Sequence, residues 1–204
     1  MRDLVTLIDP ATEVAGDICA DTRTILHREG EPAHGLYEVL EGRVILSRRS
    51  PHRGRQIVDI AEAGALIGFS EQGMQLCTAE AATRVRLRPV TAGESAWLVH
   101  RLSERIGSLY RKSVALAATG ATQRVAYFLV SAAAQIGLRQ PEALQDRQIP
   151  LQLNRREIAD FLALELESVS RAFSELKKRR IITFTDTSAV RVCDAGQLVG
   201  LAGA

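Results

Sequence analysis

Leu153-Asn154-Arg155-Arg156-Glu157-Ile158-Ala159-Asp160-Phe161-Leu162, then Ala163-Leu164-Glu165, then Leu166-Glu167-Ser168-Val169-Ser170-Arg171-Ala172-Phe173-Ser174-Glu175-Leu176-Lys177-Lys178, is the stretch whose reading decides the architecture. Asn154 and Glu157 stand three apart, the spacing at which both side chains satisfy free amides at a helix start. The helix they announce is short and gives way to a tight connection at Ala163-Leu164-Glu165. Beyond it, Val169, Phe173 and Leu176 recur at helical spacing and face inward, which leaves Glu167, Ser170 and Arg171 outward. Two such helices joined by a tight turn make a helix-turn-helix. Ile181-Ile182-Thr183-Phe184 and Val190-Arg191-Val192 follow as a predicted β hairpin, so the unit is winged and its wing lies beside a nucleic-acid backbone.

The outward residues have base-reading chemistry. Glu167 accepts from a cytosine amino group and Arg171 forks onto guanine, so the two suit one G·C pair, while Ser170 reaches a base or phosphate and Leu166 a thymine methyl. Lys177, Lys178, Arg179 and Arg180 concentrate positive charge at the far end of the second helix, where phosphate contacts orient without specifying sequence, and Arg155 and Arg156 are expected to do likewise. The plainer alternative for these basic residues is a solvated face. For Glu167 with Arg171 it is an i, i+4 ion pair worth about 0.2–0.5 kcal/mol, which the free protein can hold as well.

Upstream, Thr24-Ile25-Leu26, Leu36-Tyr37-Glu38-Val39-Leu40, Val44-Ile45-Leu46 and Ile57-Val58-Asp59-Ile60 are short apolar runs punctuated by glycines, the pattern of a sandwich or barrel of antiparallel strands. Glu41-Gly42 is predicted as a hairpin turn, and Thr83 to Arg88 alternates as a strand with one wet face. After Gly93 the period changes. Val99, Leu102, Ile106, Leu109, Ser113 and Leu116 step by three and four along a predicted helix from Glu94 to Thr119. That stripe packs either on its own β domain or on a second copy, and the preferred expectation is a symmetric dimer seam with Ser113 fixing register. A further helix is predicted over 121–137 with Val125, Phe128, Leu129, Ala132 and Ile136 on one face, followed by a loop to Pro150. The expected class is α+β, with an N-terminal antiparallel β-barrel over 1–93, a dimerisation helix over 94–119 and a winged helix-turn-helix over 120–204.

The composition agrees. The 204 residues are 46% hydrophobic and 25% charged, which argues against disorder or a fibrous repeat, and a net charge of +2 means that any basic surface is local. Three scattered cysteines, Cys19, Cys77 and Cys193, form no disulfide framework and suit a reducing cytoplasm. Met1 to Asp9 is too short an apolar run for a signal peptide or a membrane span, so the expected location is cytoplasmic.

Across almost its entire length the chain resembles the Crp/Fnr superfamily of bacterial transcription regulators. The match is most specific from Leu153 through Ile182, where Glu167-Ser168-Val169-Ser170-Arg171 is similar to the Glu-x-x-Ser-Arg signature of the Fnr and FixK branch. The resemblance implies a cyclic-nucleotide-binding-like jelly roll at the amino end and a homodimer reading TTGA-type half-sites in an inverted repeat of double-stranded DNA. Glu167 and Arg171 would read the G·C pair and Ser170 an adjacent thymine, and activation would bring in RNA polymerase as a partner. Two positions depart from the pattern: Ala163 stands where the turn usually has glycine, at a cost of about 1 kcal/mol if a left-handed conformation is needed, and Glu165 replaces the usual Ser or Thr cap.

Cyclic-nucleotide members hold phosphate with a Gly-Glu-x-x-Leu segment and an Arg-Ser or Arg-Thr pair, and the matching stretch here is Gly68-Phe69-Ser70-Glu71 with Leu76-Cys77-Thr78, which lacks the arginine. Cyclic AMP binding of physiological strength is therefore not expected. Three scattered cysteines likewise supply no iron-sulfur cluster of the Fnr kind. His27, His34, His52 and His100 are expected as surface residues rather than haem ligands, and Cys193 as a small buried strand residue. No cofactor is assigned. No nucleophile has a base in register, no Gly-x-x-x-x-Gly-Lys loop is present, and the His-x-His spacing of a cupin-type metal enzyme is missing, so catalysis is not expected. The alternative to a DNA-reading regulator is a degenerate sensor or protein-interaction module without salt-sensitive duplex binding.

Overall fold

The computed structural model describes residues 16–51, 54–91, 95–117, 120–186 and 188–203. The expectations for Met1 to Asp9, His52, Glu94 and Thr119 lie outside the described residues. The chain divides into two compact units, Met1–Ile106 and Gly107–Ala204.

The first unit is built from short antiparallel strands: β1 (Ile18–Ala20), β2 (Ile25–His27), β3 (Tyr37–Glu41), β4 (Val44–Ser50), β5 (Gly54–Ala61), β6 (Leu66–Ile67), β7 (Ser70–Glu71), β8 (Met74–Gln75), β9 (Thr78–Ala81) and β10 (Val85–Pro89). They form two four-stranded sheets, β1-β10-β3-β6 and β2-β9-β4-β5, with β7 and β8 as a separate small hairpin. Alternation places Val39, Val44, Leu46, Ala79, Ala81, Val85 and Leu87 in one shared core, as period-2 patterning requires. The jelly-roll expectation is met.

Glu41-Gly42 is not a hairpin turn. Glu41 pairs with Arg86 of β10, whereas Val44 pairs with Ala61 and Ala81, so the chain changes sheets at this corner. Glycine is required there: Gly42 has φ +83°, and a Cβ would lie 2.1 Å from the Arg84 carbonyl oxygen. His27 also departs from expectation, because it is 1% exposed rather than at the surface. Neither of its ring nitrogens has a hydrogen-bond partner among the described residues. Burial pushes its pKa down to about 4, with Glu31 opposing the shift and His34 adding to it.

Helix α1 (Ser95–Ala117) carries two different faces. Within the first unit, Trp97 meets the guanidinium groups of Arg88 and Arg101 at 5.5 and 5.8 Å, and Arg105 forms an ion pair with Asp59. Within the second unit, Lys112 and Ala115 are buried. The other face is left in water: Val99, Ile106, Leu109, Tyr110 and Val114 are between 44% and 73% exposed. Ser113 is exposed as well, while Leu102 and Leu116 are half-buried.

The second unit comprises α2 (Ala121–Gln135), α3 (Pro141–Leu144), β11 (Gln148–Pro150), α4 (Arg155–Leu162), α5 (Leu166–Lys178), β12 (Ile182–Phe184), β13 (Ala189–Val192) and α6 (Ala195–Ala202). Val125, Phe128, Leu129 and Ala132 are buried on α2 as expected, but Ile136 falls at the helix C-cap and is exposed. The segment predicted as a loop up to Pro150 contains α3 and β11, and β11 joins the wing to give the sheet order β11-β13-β12. The sequence pattern does not announce helix α6, because Gly196 and Gly200 blur its period; Asp194 caps it by accepting from the Gln197 amide at 2.8 Å.

The buried histidine makes stability pH-dependent. Its folded pKa lies below the unfolded value near 6.5, so its contribution is complete above that value and is lost as pH falls towards 4. Urea denaturation at pH 5 should give an unfolding free energy about 2 kcal/mol lower than at pH 7.5, and His27→Leu should flatten that difference. A wild-type profile level between those two pH values would contradict the burial argument.

Candidate nucleic-acid interface

Helix α4 starts where the sequence places it. Asn154 Oδ1 accepts from the Glu157 amide at 3.0 Å, and Glu157 Oε2 accepts from the Asn154 amide at 2.9 Å, completing a capping box. Ile158, Ala159, Phe161 and Leu162 are buried, with Phe161 meeting Phe128 edge-on at 5.9 Å. The turn that follows has Ala163 at φ +52°, ψ +45°, the left-handed conformation that glycine would adopt more readily. Glu165 is the N-cap of α5 but makes no side-chain capping hydrogen bond. Both departures from the usual turn are therefore present in the fold.

Helix α5 buries Val169, Ala172, Phe173 and Leu176, and turns Leu166, Glu167, Ser170 and Arg171 to solvent. Arg171 Nη1 lies 3.6 Å from Glu167 Oε1, with both side chains at least 70% exposed, so the ion pair exists and is weak. A solvated pair of this kind exchanges its internal contact for an external partner at small cost. Ser170 Oγ donates to the Leu166 carbonyl at 3.0 Å, which leaves its lone pairs as acceptors. Glu167, Ser170 and Arg171 line an open groove of about 700 Å³ that also takes in Ala121 and Thr122 from the start of α2, together with Ser174 and Lys178. Sequence periodicity within α5 gave no sign of the α2 residues, because only tertiary packing brings that helix end alongside.

The basic residues separate into two groups. Arg156, Lys177, Lys178 and Arg179 are exposed, Arg156 lying 4.0 Å from Asp160 and Arg179 Nη2 donating to Gln197 Oε1 at 3.3 Å. Arg155 is different. Its guanidinium lies 3.5 Å from the centre of the Phe173 ring and 5.2 Å from that of Phe184. Nη1 is buried with no hydrogen-bond partner among the described residues, and burial lowers the pKa of the group. This geometry ties the start of α4 to the inner face of α5 and to β12 by a cation–π contact.

Cys193 is exposed just beyond β13, not buried in the strand, and its Sγ sits 3.9 Å from the Arg191 carbonyl oxygen. In the first unit, Cys77 is half-buried and burial pushes its thiol up to about 11, so it stays protonated at neutral pH. Two nearby cations, Arg105 and Arg48, are already paired with Asp59 and Glu29. Among the described residues no group of three or more His, Cys, Asp or Glu is placed to hold a metal ion. No helix among them is long and apolar enough to cross a membrane.

Residues 123–201 match the family model of the Crp-like helix-turn-helix domain, and residues 20–99 match that of the cyclic nucleotide-binding domain. The nitrogen fixation regulation protein FixK of Rhizobium meliloti (strain 1021) is 28% identical over 182 residues, covering 82% of this chain and 78% of that protein. The transcriptional activatory protein AadR of Rhodopseudomonas palustris is 27% identical over 193 residues, covering 88% of this chain and 78% of its own. Among solved structures, FixK2 from Bradyrhizobium japonicum superposes with a TM-score of 0.78 at 25% identity, covering 94% of this chain and 98% of that one.

The stacked and the exposed cations should respond differently to removal. Arg155→Ala should lower stability by about 1–2 kcal/mol, read as a fall in Tm, because it uncovers Phe173. Lys178→Ala should leave Tm unchanged. An Arg155→Ala protein as stable as wild type would show that the stack contributes nothing.

Proposed function

The chain belongs to the Crp/Fnr family of DNA-binding transcription regulators, in its FixK branch, and from that premise we propose that it acts as a homodimer reading a TTGA-type inverted repeat through Glu167, Ser170 and Arg171. The observation that carries this reading is the exposed Glu167–Arg171 pair on the first turns of α5, held outward by a fully apolar inner face. Carboxylate and guanidinium together match the donor and acceptor edges of one G·C pair. Leu166, 42% exposed at the first position of α5, supplies the apolar contact to a thymine methyl. Arg156, Lys177, Lys178 and Arg179 supply sequence-independent phosphate contacts. Arg155 is better suited to holding the two helices together. The family consists of regulators, not enzymes, and a cytoplasmic location follows from this reading as part of the proposal.

Dimerisation has its own support. Val99, Ile106, Leu109, Tyr110 and Val114 expose an apolar band along α1, which costs free energy in water and is relieved by pairing with the same band of a second copy. Leu102, Ser113 and Leu116 flank that band. Tyr110 and Val114 extend the seam beyond the residues that the sequence spacing singles out.

Cyclic AMP does not serve as effector on this reading. A phosphate beside Cys77 and Thr78 would meet a protonated thiol and a hydroxyl, with Arg48 and Arg105 already paired with Glu29 and Asp59.

Fluorescence anisotropy on a TTGAT/ATCAA inverted repeat and a scrambled duplex tests the assignment. Wild type should prefer the repeat, lose affinity steeply with salt and show no change when cyclic AMP is added. Arg171→Ala should cost about 1–3 kcal/mol and relax the preference at the G·C pair, whereas Lys178→Ala should weaken both duplexes alike. Equal losses on every duplex from both variants would refute the base-reading role of Arg171. In sedimentation, Leu109→Glu should shift the protein towards monomer by burying an unpaired charge, and an unchanged dimer would move the interface off α1.

A further inference from the structure

The α4–α5 turn has neither a glycine at its left-handed residue, Ala163, nor a side-chain cap at the start of α5, where Glu165 stands. Burial of Val169, Phe173 and Leu176 fixes which face of α5 points inward, but these residues lie beyond the helix start and do not by themselves set the angle at which the chain enters it. The Ala163 and Leu164 amides donate to the Ala159 carbonyl and close the turn, and two cations from outside α4 and α5 add to that restraint.

Two cations meet the last two residues before Ala163. Arg124, on the first turn of α2, directs Nη1 to the Leu162 carbonyl oxygen at 3.2 Å. That carbonyl belongs to the last turn of α4, where intrahelical donors run out and the helix dipole favours a positive charge. Lys112 of α1 is 8% exposed and holds Nζ 3.5 Å from the centre of the Phe161 ring. Phe161 is held on another side by the edge-on ring of Phe128. One cation thus restrains the backbone, and the other a ring, at consecutive positions immediately before the strained residue.

We propose that Arg124 and Lys112 are positioning residues, which brace the α4–α5 turn so that Glu167, Ser170 and Arg171 are presented at a fixed angle to DNA. Neither residue lines the groove along α5, so neither is assigned a base contact. The consequence for DNA rests on the reading of α5 given above, whereas the bracing itself does not.

The test uses the full chain and two readouts: amide hydrogen exchange at Leu164 to Glu167, and anisotropy on the inverted repeat against the scrambled duplex. Arg124→Gln should speed exchange in the turn about tenfold and lower the preference for the repeat about tenfold, with affinity for the scrambled duplex retained. Adding Ala163→Gly, which removes the strain that the brace opposes, should restore most of both losses. Lys112→Met, which keeps the apolar stem, should behave in the same way and be rescued by the same change. Exchange at wild-type rates in both brace variants would overturn the proposal. So would a loss shared equally by the two duplexes, which would make Arg124 a phosphate contact, or a failure of Ala163→Gly to rescue. Should Arg124→Gln fail to fold, Lys112→Met and its rescue decide the matter. Should wild type show no preference between duplexes, the assignment of α5 falls while the exchange readout still decides the brace.

Discussion

The inner face of α5 is the constraint on which the proposed reading surface depends. Val169, Ala172, Phe173 and Leu176 are all buried, and a helix with one such face has no freedom to rotate about its axis. Glu167, Ser170 and Arg171 therefore point outward by geometric necessity rather than by any interaction of their own. Their weak contacts with each other and with the helix backbone are consistent with groups that await an external partner.

Charge is distributed with the same economy. A net charge of +2 leaves little general attraction for nucleic acid, so the placement of individual cations matters more than their number. Arg88 and Arg101 lie against Trp97, Arg105 pairs with Asp59, and Arg155 stacks on Phe173. Arg156, Lys177 and Lys178 remain on the surface beside α5. Aromatic rings and carboxylates thereby engage these cations in structural contacts, whereas those beside α5 stay accessible. In the first unit, Arg105 and Arg48 near Cys77 are likewise paired, with Asp59 and Glu29.

Much of this was legible in the chain before folding. The capping box at Asn154 and Glu157, the tight turn and the 3.6-residue period of α5 mark both helices to the residue, and the short apolar runs locate β2 to β5. Other features were hidden. Gly42 reads as a hairpin glycine because the apolar runs beside it resemble a paired unit, yet those strands belong to different sheets. Arg155 reads as one more surface cation, and nothing near it in the chain announces the Phe173 and Phe184 rings above which it sits. His27 in its polar segment gives no sign of a site that excludes water. On α1, the steps of three and four find Val99, Ile106 and Leu109, whereas Tyr110 and Val114, exposed as well, fall outside that spacing.

What the sequence by itself determined is local: where helices begin, which face of each is apolar, and which side chains are left over for recognition. Capping and helical period act over three or four residues, so their signals survive in the linear order of the chain. Tertiary structure decided which strands pair, which cations stay in water and which groups meet the end of α4. Those outcomes depend on burial and on contacts between residues far apart in the chain, as between Arg124 and Leu162 or Arg105 and Asp59. No short-range pattern encodes them, because the energy of a charge or a ring is set by whatever surrounds it once the chain has closed upon itself.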